Sequence, residues 1–340
     1  MTERIIGIAQ AGIANHGRTI LNAIRDAGNL RLVSCYDINT VANEEVAKEF
    51  SAVAAKGYDE LIENPAVEAV ALVTPNHLHP EQIRKAAAAG KHIFVEKPVT
   101  NTTAEAQEAI SVARNAGVVL MVGHNTRRRQ VFRRAKALLG EGRIGKIVAV
   151  EANLSRPAGL QAGLPAWKAD RKTCPLLPMI QLGIHFVDTI EYLLGPVHRV
   201  GCFATNVAMP TDAYDSTAAI LQLKSGIPVA LTSYYVSADE YFLRVYGTEG
   251  TIHCLPLTLQ LDLLEKGERK ETIHEDHGSE GARSYIHQMR EFAECIVLNK
   301  QPETGGEGGL RALAVIEAMV RSVEHQVIVE VDEILKESAS

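Results

Sequence analysis

From residue 5 to residue 122 the chain alternates short apolar runs with stretches whose apolar positions recur every three or four residues. The runs, at 5–9, 30–36, 69–74, 92–95 and 118–122, have the length and the Val, Ile, Leu and Ala content of strands covered on both faces. The stretches between them, at 13–27, 43–50, 80–89 and 104–116, have the period of helices laid against such strands. A shorter strand near 51–55 is expected in the same sheet. This order predicts parallel βαβ units, hence an α/β Rossmann domain over residues 1–123.

After Gly123 the rhythm changes. A basic helical stretch at 127–140 leads to strand-like segments at 146–154, 216–223, 228–233, 242–246 and 251–254. Strands that follow one another with few helices predict an antiparallel or mixed sheet, so residues 124–340 are expected to form an α+β domain. Two late helices, at 282–298 and 307–324, precede a strand-like 327–331. The boundary rests on this change of rhythm, because no low-complexity linker marks it.

Composition narrows the class of protein. Of the 340 residues, 46% are hydrophobic and 22% charged, as in an ordinary soluble protein. A net charge of -6 with dispersed Lys and Arg gives no electrostatic reason to expect a nucleic-acid partner. No apolar run reaches the ~18–20 residues that span a bilayer, so no membrane partner is expected. The five cysteines are widely spaced and form no CxxC pair, which reads as reduced thiols. With no basic and apolar leader at the N-terminus, the expected location is the cytoplasm. The histidines show neither HxxxH nor HExxH spacing, so no metal site is expected.

The chemistry begins at the first strand-to-helix turn. A full GxGxxG would place glycines at 10, 12 and 15, whereas the chain has Gln10, Gly12 and Asn15. Gly12 is where backbone must approach a pyrophosphate, but a connection with no ligand also fits this one glycine. Asp37, 25 positions later at the end of the second strand, suits the adenosine ribose hydroxyls and opposes a 2′-phosphate. NAD is therefore expected ahead of NADP. Asp37 as a simple strand terminator is the competing reading.

Two further segments carry candidate side chains. Glu96-Lys97-Pro98 follows the strand at 92–95, at the strand end where doubly wound sheets bind ligands. Lys97 there could hydrogen-bond a reacting hydroxyl, or be a solvated surface lysine. Gln181, His185 and Asp188 recur three or four apart within a helical pattern and so share a face. His185 could accept a hydroxyl proton, or be a packed core histidine.

The set Thr74-Pro75-Asn76-His77 with His79, then Glu96-Lys97-Pro98, then Gly183-Ile184-His185 with Asp188, resembles the Gfo/Idh/MocA oxidoreductase family over essentially the whole chain. The resemblance implies a Rossmann domain followed by a domain with a large, open-faced, mostly antiparallel sheet that packs against another subunit, hence a homodimer or homotetramer. It implies bound NAD(P) and a sugar, inositol or sugar-derived substrate. Lys97 and His185 match the catalytic residues of the family. Gln10, Gly12, Ile13, Asp37, Thr74, Pro75, Asn76, His79, Glu96 and Lys97 match its cofactor site. Trp167, Lys168, Gln181 and Tyr235, with Lys97 and His185, fall where substrate contacts are expected. Many members carry Asp at the position of Gln181, which cannot accept a proton. Two other functions fit the same residues: NAD-dependent glycoside cleavage through transient oxidation, and a non-catalytic sugar or dinucleotide sensor.

Overall fold

The computed structural model describes residues 4–161, 164–278 and 280–338. The chain divides into two compact units, residues 1–125 with 281–310, and residues 126–280 with 311–340.

In the first unit, elements alternate as the apolar pattern requires. They are β1 (Ile6–Ala11), α1 (His16–Ala27), β2 (Leu30–Tyr36), α2 (Thr40–Phe50), β3 (Val53–Ala54), α3 (Tyr58–Glu63), β4 (Ala69–Leu72), α4 (His79–Ala88), β5 (His92–Val95), α5 (Thr103–Asn115) and β6 (Leu120–Val122). The six strands of this sheet lie in the order β3-β2-β1-β4-β5-β6 and pair in parallel. Every residue of β1 and β4 is buried, so these central strands are covered on both faces and need no polar alternation. α5 starts at a capping box: Thr102 accepts from the Glu105 amide, and Glu105 accepts from the Thr102 amide.

The second unit contains α6 (Gln130–Gly140), β7 (Ile147–Ser155), α7 (Ala166–Ala169), α8 (Ile184–Leu194), β8 (Val197–Thr205), β9 (Ser216–Leu223), β10 (Pro228–Tyr234), β11 (Glu240–Gly247), β12 (Gly250–Cys254), β13 (Thr258–Glu265) and β14 (Glu268–Asp276). The chain then runs through α9 (Glu280–Leu298), α10 (Gly306–His325), β15 (Val329–Glu330) and α11 (Val331–Glu337). Among the described residues the sheet of this unit has nine strands, ordered β14-β13-β12-β11-β7-β10-β9-β8-β15. Only β7 and β10 pair in parallel; the other neighbours are antiparallel. Alternate residues face a core shared with α6, α8 and α10, including Val200, Cys202 and Leu221. The opposite face is open within the unit: Phe203 is 80% exposed and Ile220 62%.

Residues 281–310, expected within the C-terminal domain, group with the first compact unit. Met289, Phe292, Ala293 and Cys295 of α9 are buried in the core of the parallel sheet, with the Phe292 ring 6.2 Å from that of Phe94. Helical period identifies an apolar stripe without saying which sheet it covers. The expected terminal strand shrinks to Val329–Glu330, after which the chain turns into α11. β14 escaped the pattern because its sequence, ERKETIHED, has one apolar residue. As an edge strand it is protected from further pairing by that charge.

Candidate active site

The nucleotide half lies in the first unit. Gly12 follows β1 with φ +83, and a Cβ built on it would stand 2.4 Å from the Val73 carbonyl oxygen. Only glycine meets both conditions. Gln10, at a position where the dinucleotide pattern has glycine, is fully buried. Its Nε2 donates to the carbonyls of Gly12 and Gly17, each at 2.8 Å, and so fastens the turn from beneath. Gly17 supplies the close approach that the motif otherwise takes from its last glycine, since a Cβ there would lie 2.4 Å from Gly12 O. A second glycine five residues after the first was the available signal. Asn15 takes φ 48 with ψ -109, a positive-φ conformation outside the left-handed helical region.

Asp37 follows β2 directly. Its Oδ2 accepts the Ile13 amide at 2.9 Å and its Oδ1 the Asn39 amide at 2.9 Å, so the carboxylate stands against the glycine turn. α1 begins without a side-chain cap and without an acidic residue in its first turn; the Gly17 and Arg18 amides turn back to the Ala14 and Asn15 carbonyls, and the uncompensated helix dipole favours an anion. A close-approach glycine, an uncapped helix start and a carboxylate at the turn together fit a dinucleotide.

The same unit gathers the residues after β4 and β5. Thr74 donates from Oγ1 to Gln82 Oε1 at 2.6 Å, and Asn76 donates to Asn101. His79 is 1% exposed, with Nδ1 3.1 Å from the Pro98 carbonyl and 3.2 Å from that of Val99. Its Nε2 lies 3.0 Å from the Thr74 carbonyl. The imidazole therefore packs between the loop after β4 and the loop after β5, and when neutral it donates to the carbonyls of one of them. It supports Thr74–Asn76 and Lys97 through their backbone.

Glu96 is 6% exposed; its Oε2 accepts the Lys97 amide at 3.2 Å, and His16 Nε2 lies 3.2 Å from its Oε1. Burial alone would push this carboxyl up, but His16 and Lys97 hold it below the usual range. Lys97 is half-buried beside it. His16, whose ring also meets Tyr285 edge-on at 5.5 Å, was missed from sequence because nothing local links it to residue 96.

The second half lies in the other unit. A 3-10 turn at Thr126–Arg128 places Thr126 Oγ1 3.2 Å from His185 Nδ1. Arg127 grips Asp188: Nε donates to Oδ2 at 2.8 Å, and Nη2 donates to Oδ1. The pair is nearly dry, with Asp188 1% exposed.

Before α8 the chain makes a π turn, Met179–Gly183, preceded by Pro178. A Cβ at 183 would lie 2.4 Å from Met179 Sδ, so any side chain there would displace the end of Met179. Gln181 sits in this turn, so its place is set by a π geometry and not by the uniform helical spacing expected. Such turns cluster at functional sites.

Lys168, on α7, lies 5.3 Å from the Trp167 ring centre, and burial pushes its ammonium down against a smaller opposing effect of Cys174. Tyr235, expected at the substrate, is 5% exposed and part of the sheet core. Burial first, then Cys174, pushes its hydroxyl up to about 12.

Among the described residues no group of His, Cys, Asp and Glu could hold a metal ion, and no helix is long and apolar enough to cross a membrane.

Comparison with known proteins brings the two halves under one description. Residues 5–124 match the NAD-binding Rossmann fold of an oxidoreductase family, and residues 136–331 match the C-terminal alpha/beta domain of the same family. The chain is 28% identical over 267 residues to 1,5-anhydro-D-fructose reductase of Ensifer adhaerens, covering 78% of this chain and 80% of that protein. It is 28% identical over 309 residues to scyllo-inositol 2-dehydrogenase (NAD(+)) of Bacillus subtilis, covering 88% and 86%. A solved structure of a Desulfitobacterium hafniense protein, described as an NADPH-dependent oxidoreductase, superposes with a TM-score of 0.91 at 27% identity, covering 98% and 99%. The chain thus belongs to the Gfo/Idh/MocA oxidoreductase family and is an NAD(P)-dependent dehydrogenase or reductase.

Proposed function

We propose that this enzyme oxidises a hydroxyl of a sugar, an inositol or a related derivative, or reduces the matching carbonyl, with NAD preferred over NADP. The observation that carries the cofactor reading is Asp37, whose carboxylate stands at the Gly12 turn on the Ile13 amide. A 2′-phosphate there would meet a fixed negative charge. Gln10, Gly12 and Ile13 shape the seat of the pyrophosphate, while Thr74, Pro75, Asn76, Glu96 and Lys97 line the nicotinamide end, with His79 behind them.

When bound, NAD would supply the hydride acceptor for oxidation of the carbon that bears the hydroxyl. His185 accepts the hydroxyl proton at a ring nitrogen, as a general base. Lys97 donates a hydrogen bond to the same oxygen and stabilises the charge that develops on it. Trp167, Lys168 and Gln181 hold the remaining hydroxyls.

The nine-stranded sheet places Phe203 and Ile220 on a face open within its unit, and a second copy of the chain is the occupant proposed for it.

The test is a panel of polyols, sugars and glycosides with NAD and NADP, following absorbance of the reduced nicotinamide. His185→Ala and Lys97→Ala should each lower turnover by ~10²–10⁴ while NAD affinity changes little. A His185→Ala protein with normal turnover per folded molecule would sink the catalytic assignment. Release of aglycone without net reduced cofactor would move the reading to glycoside cleavage.

A further inference from the structure

Trp167 and Lys168 stand on an element too short to place itself. α7 is a single turn of four residues, none of them buried and without a side-chain cap, and the 3-10 turn before it, Pro157–Leu160, buries nothing either. One turn of helix is unstable alone, so its position is set by what it touches. The connection between β8 and β9, residues 206–215, supplies several of those contacts.

That connection has a fixed shape of its own. Asp215 is fully buried, and its carboxylate accepts the amides of Val207, Ala208 and Met209 at 2.8–3.0 Å. The three donors satisfy a charge taken out of water. Asn206 closes the other end, donating from Nδ2 to the carbonyls of Thr211 and Ala213 at 2.6 and 2.7 Å.

Three links run from this loop to the segment that carries Trp167. The Met209 side chain, 5% exposed, lies against Gly159, where a Cβ would stand 2.8 Å from its Sδ and 3.0 Å from the Tyr235 carbonyl oxygen. Tyr235 donates its amide to the Asp215 carbonyl and accepts the Gly159 amide, both at 2.7 Å. Arg171 donates from Nε to the Asp212 carbonyl, and its guanidinium stands 3.9 Å from the Tyr214 ring centre. Inside the segment the Thr173 hydroxyl donates to the Trp167 carbonyl, and the Cys174 amide donates to that of Asp170 at 2.8 Å. Arg171 and Trp167 therefore belong to one folded turn, and what holds the first holds the second.

We propose that the 206–215 loop determines substrate affinity by positioning Trp167 and Lys168, with Asp215 as the positioning residue that keeps the loop in shape and Met209 and Arg171 as its points of contact. The inference rests on Trp167 and Lys168 touching the sugar-like substrate of the proposed reaction. A displacement of about 1 Å is enough to weaken such contacts. Tyr235 takes part through its main chain, while its side chain stays in the core.

The chain has one tryptophan, so its fluorescence reads this segment directly. The full-length protein, free of substrate, is compared with Met209→Ala, Asp215→Asn and Arg171→Ala by emission maximum and acrylamide quenching. Each variant should shift the emission to the red and open Trp167 to acrylamide. For the compound of the sugar, polyol and glycoside panel with the highest kcat/KM, KM should rise about tenfold, equivalent to about 1.4 kcal/mol. The NAD dissociation constant and kcat should change far less. Arg171→Lys, which keeps a cation near Tyr214, should recover part of the loss. Unchanged emission in folded Met209→Ala and Arg171→Ala proteins overturns the proposal, even if their melting temperatures fall, and leaves Trp167 as a substrate contact untouched. Shifted emission with unchanged KM overturns it as well, and in that case the substrate contacts of Trp167 and Lys168 are what fail. Should Asp215→Asn not fold, the other two variants still decide.

Discussion

His79→Leu tests whether the two ligand loops of the first unit are held together by one buried imidazole. Leucine conserves much of the volume and removes both ring nitrogens. A neutral imidazole donates from one nitrogen, so one hydrogen bond to Thr74 or to Pro98 and Val99 is lost, together with the partner of at least one carbonyl. Losing the bond and leaving a buried carbonyl without a donor costs about 1–3 kcal/mol. Burial pushes the His79 imidazole below its ordinary range, against the pull of the Thr74, Pro98 and Val99 carbonyls and of Glu96. With the folded value depressed, the unfolded chain binds the proton first. The wild type should lose stability as pH falls below about 6.5, by up to ~1.4 kcal/mol per pH unit. Urea unfolding of both proteins at roughly pH 8 and pH 5.5 measures the loss and the slope, and calorimetry measures NAD affinity. The variant should be less stable at the higher pH, lose part of the acid slope and bind NAD more weakly. A change below about 0.5 kcal/mol with the slope intact would refute the reasoning.

Three other perturbations are open to direct measurement. Asp37→Ala should narrow the preference for NAD over NADP, read as the ratio of dissociation constants at fixed salt; an unchanged ratio removes Asp37 from the ribose site. Gly12→Ala combines a φ of +83 with a Cβ 2.4 Å from Val73 O, so NAD binding should be lost along with about 1–3 kcal/mol of stability. Unimpaired NAD binding would contradict the crowding. Ile220→Asp on the open sheet face should dissociate an oligomer in light scattering, and a wild type that is already monomeric at micromolar concentration rules out the proposed second copy.

The parallel sheet was legible in sequence because its strands are buried on both faces. Ala69–Leu72 and His92–Val95 announce themselves as apolar runs wherever they end up in space. Asp37 and Gly12 were legible for a similar reason, since both sit at ends of elements that the pattern delimits. His16 and Thr126 were not. His16 belongs to Glu96, 80 positions away, and Thr126 to His185, at a separation of 59. Gln10 carried a misleading local signal. Against the glycine pattern it looks like damage to the turn, yet its buried amide bonds to Gly12 and Gly17 and holds the turn in shape.

The amphipathic stripe of α9 shows the division most plainly. Its apolar period determined that a helix would form and which side would be buried, because those follow from 3.6 residues per turn and the cost of wet apolar surface. That this side meets Phe94 in the parallel sheet, although the helix follows the strands of the other sheet in the chain, was decided by packing. The Gln181 segment divides the same way. Its helical character was in the residues, while the π turn at Met179–Gly183 exists only in the folded chain. Short-range periodicity reports what each segment must bury. Partners far along the chain are chosen by shape and hydrogen-bond geometry that exist only once the chain has folded.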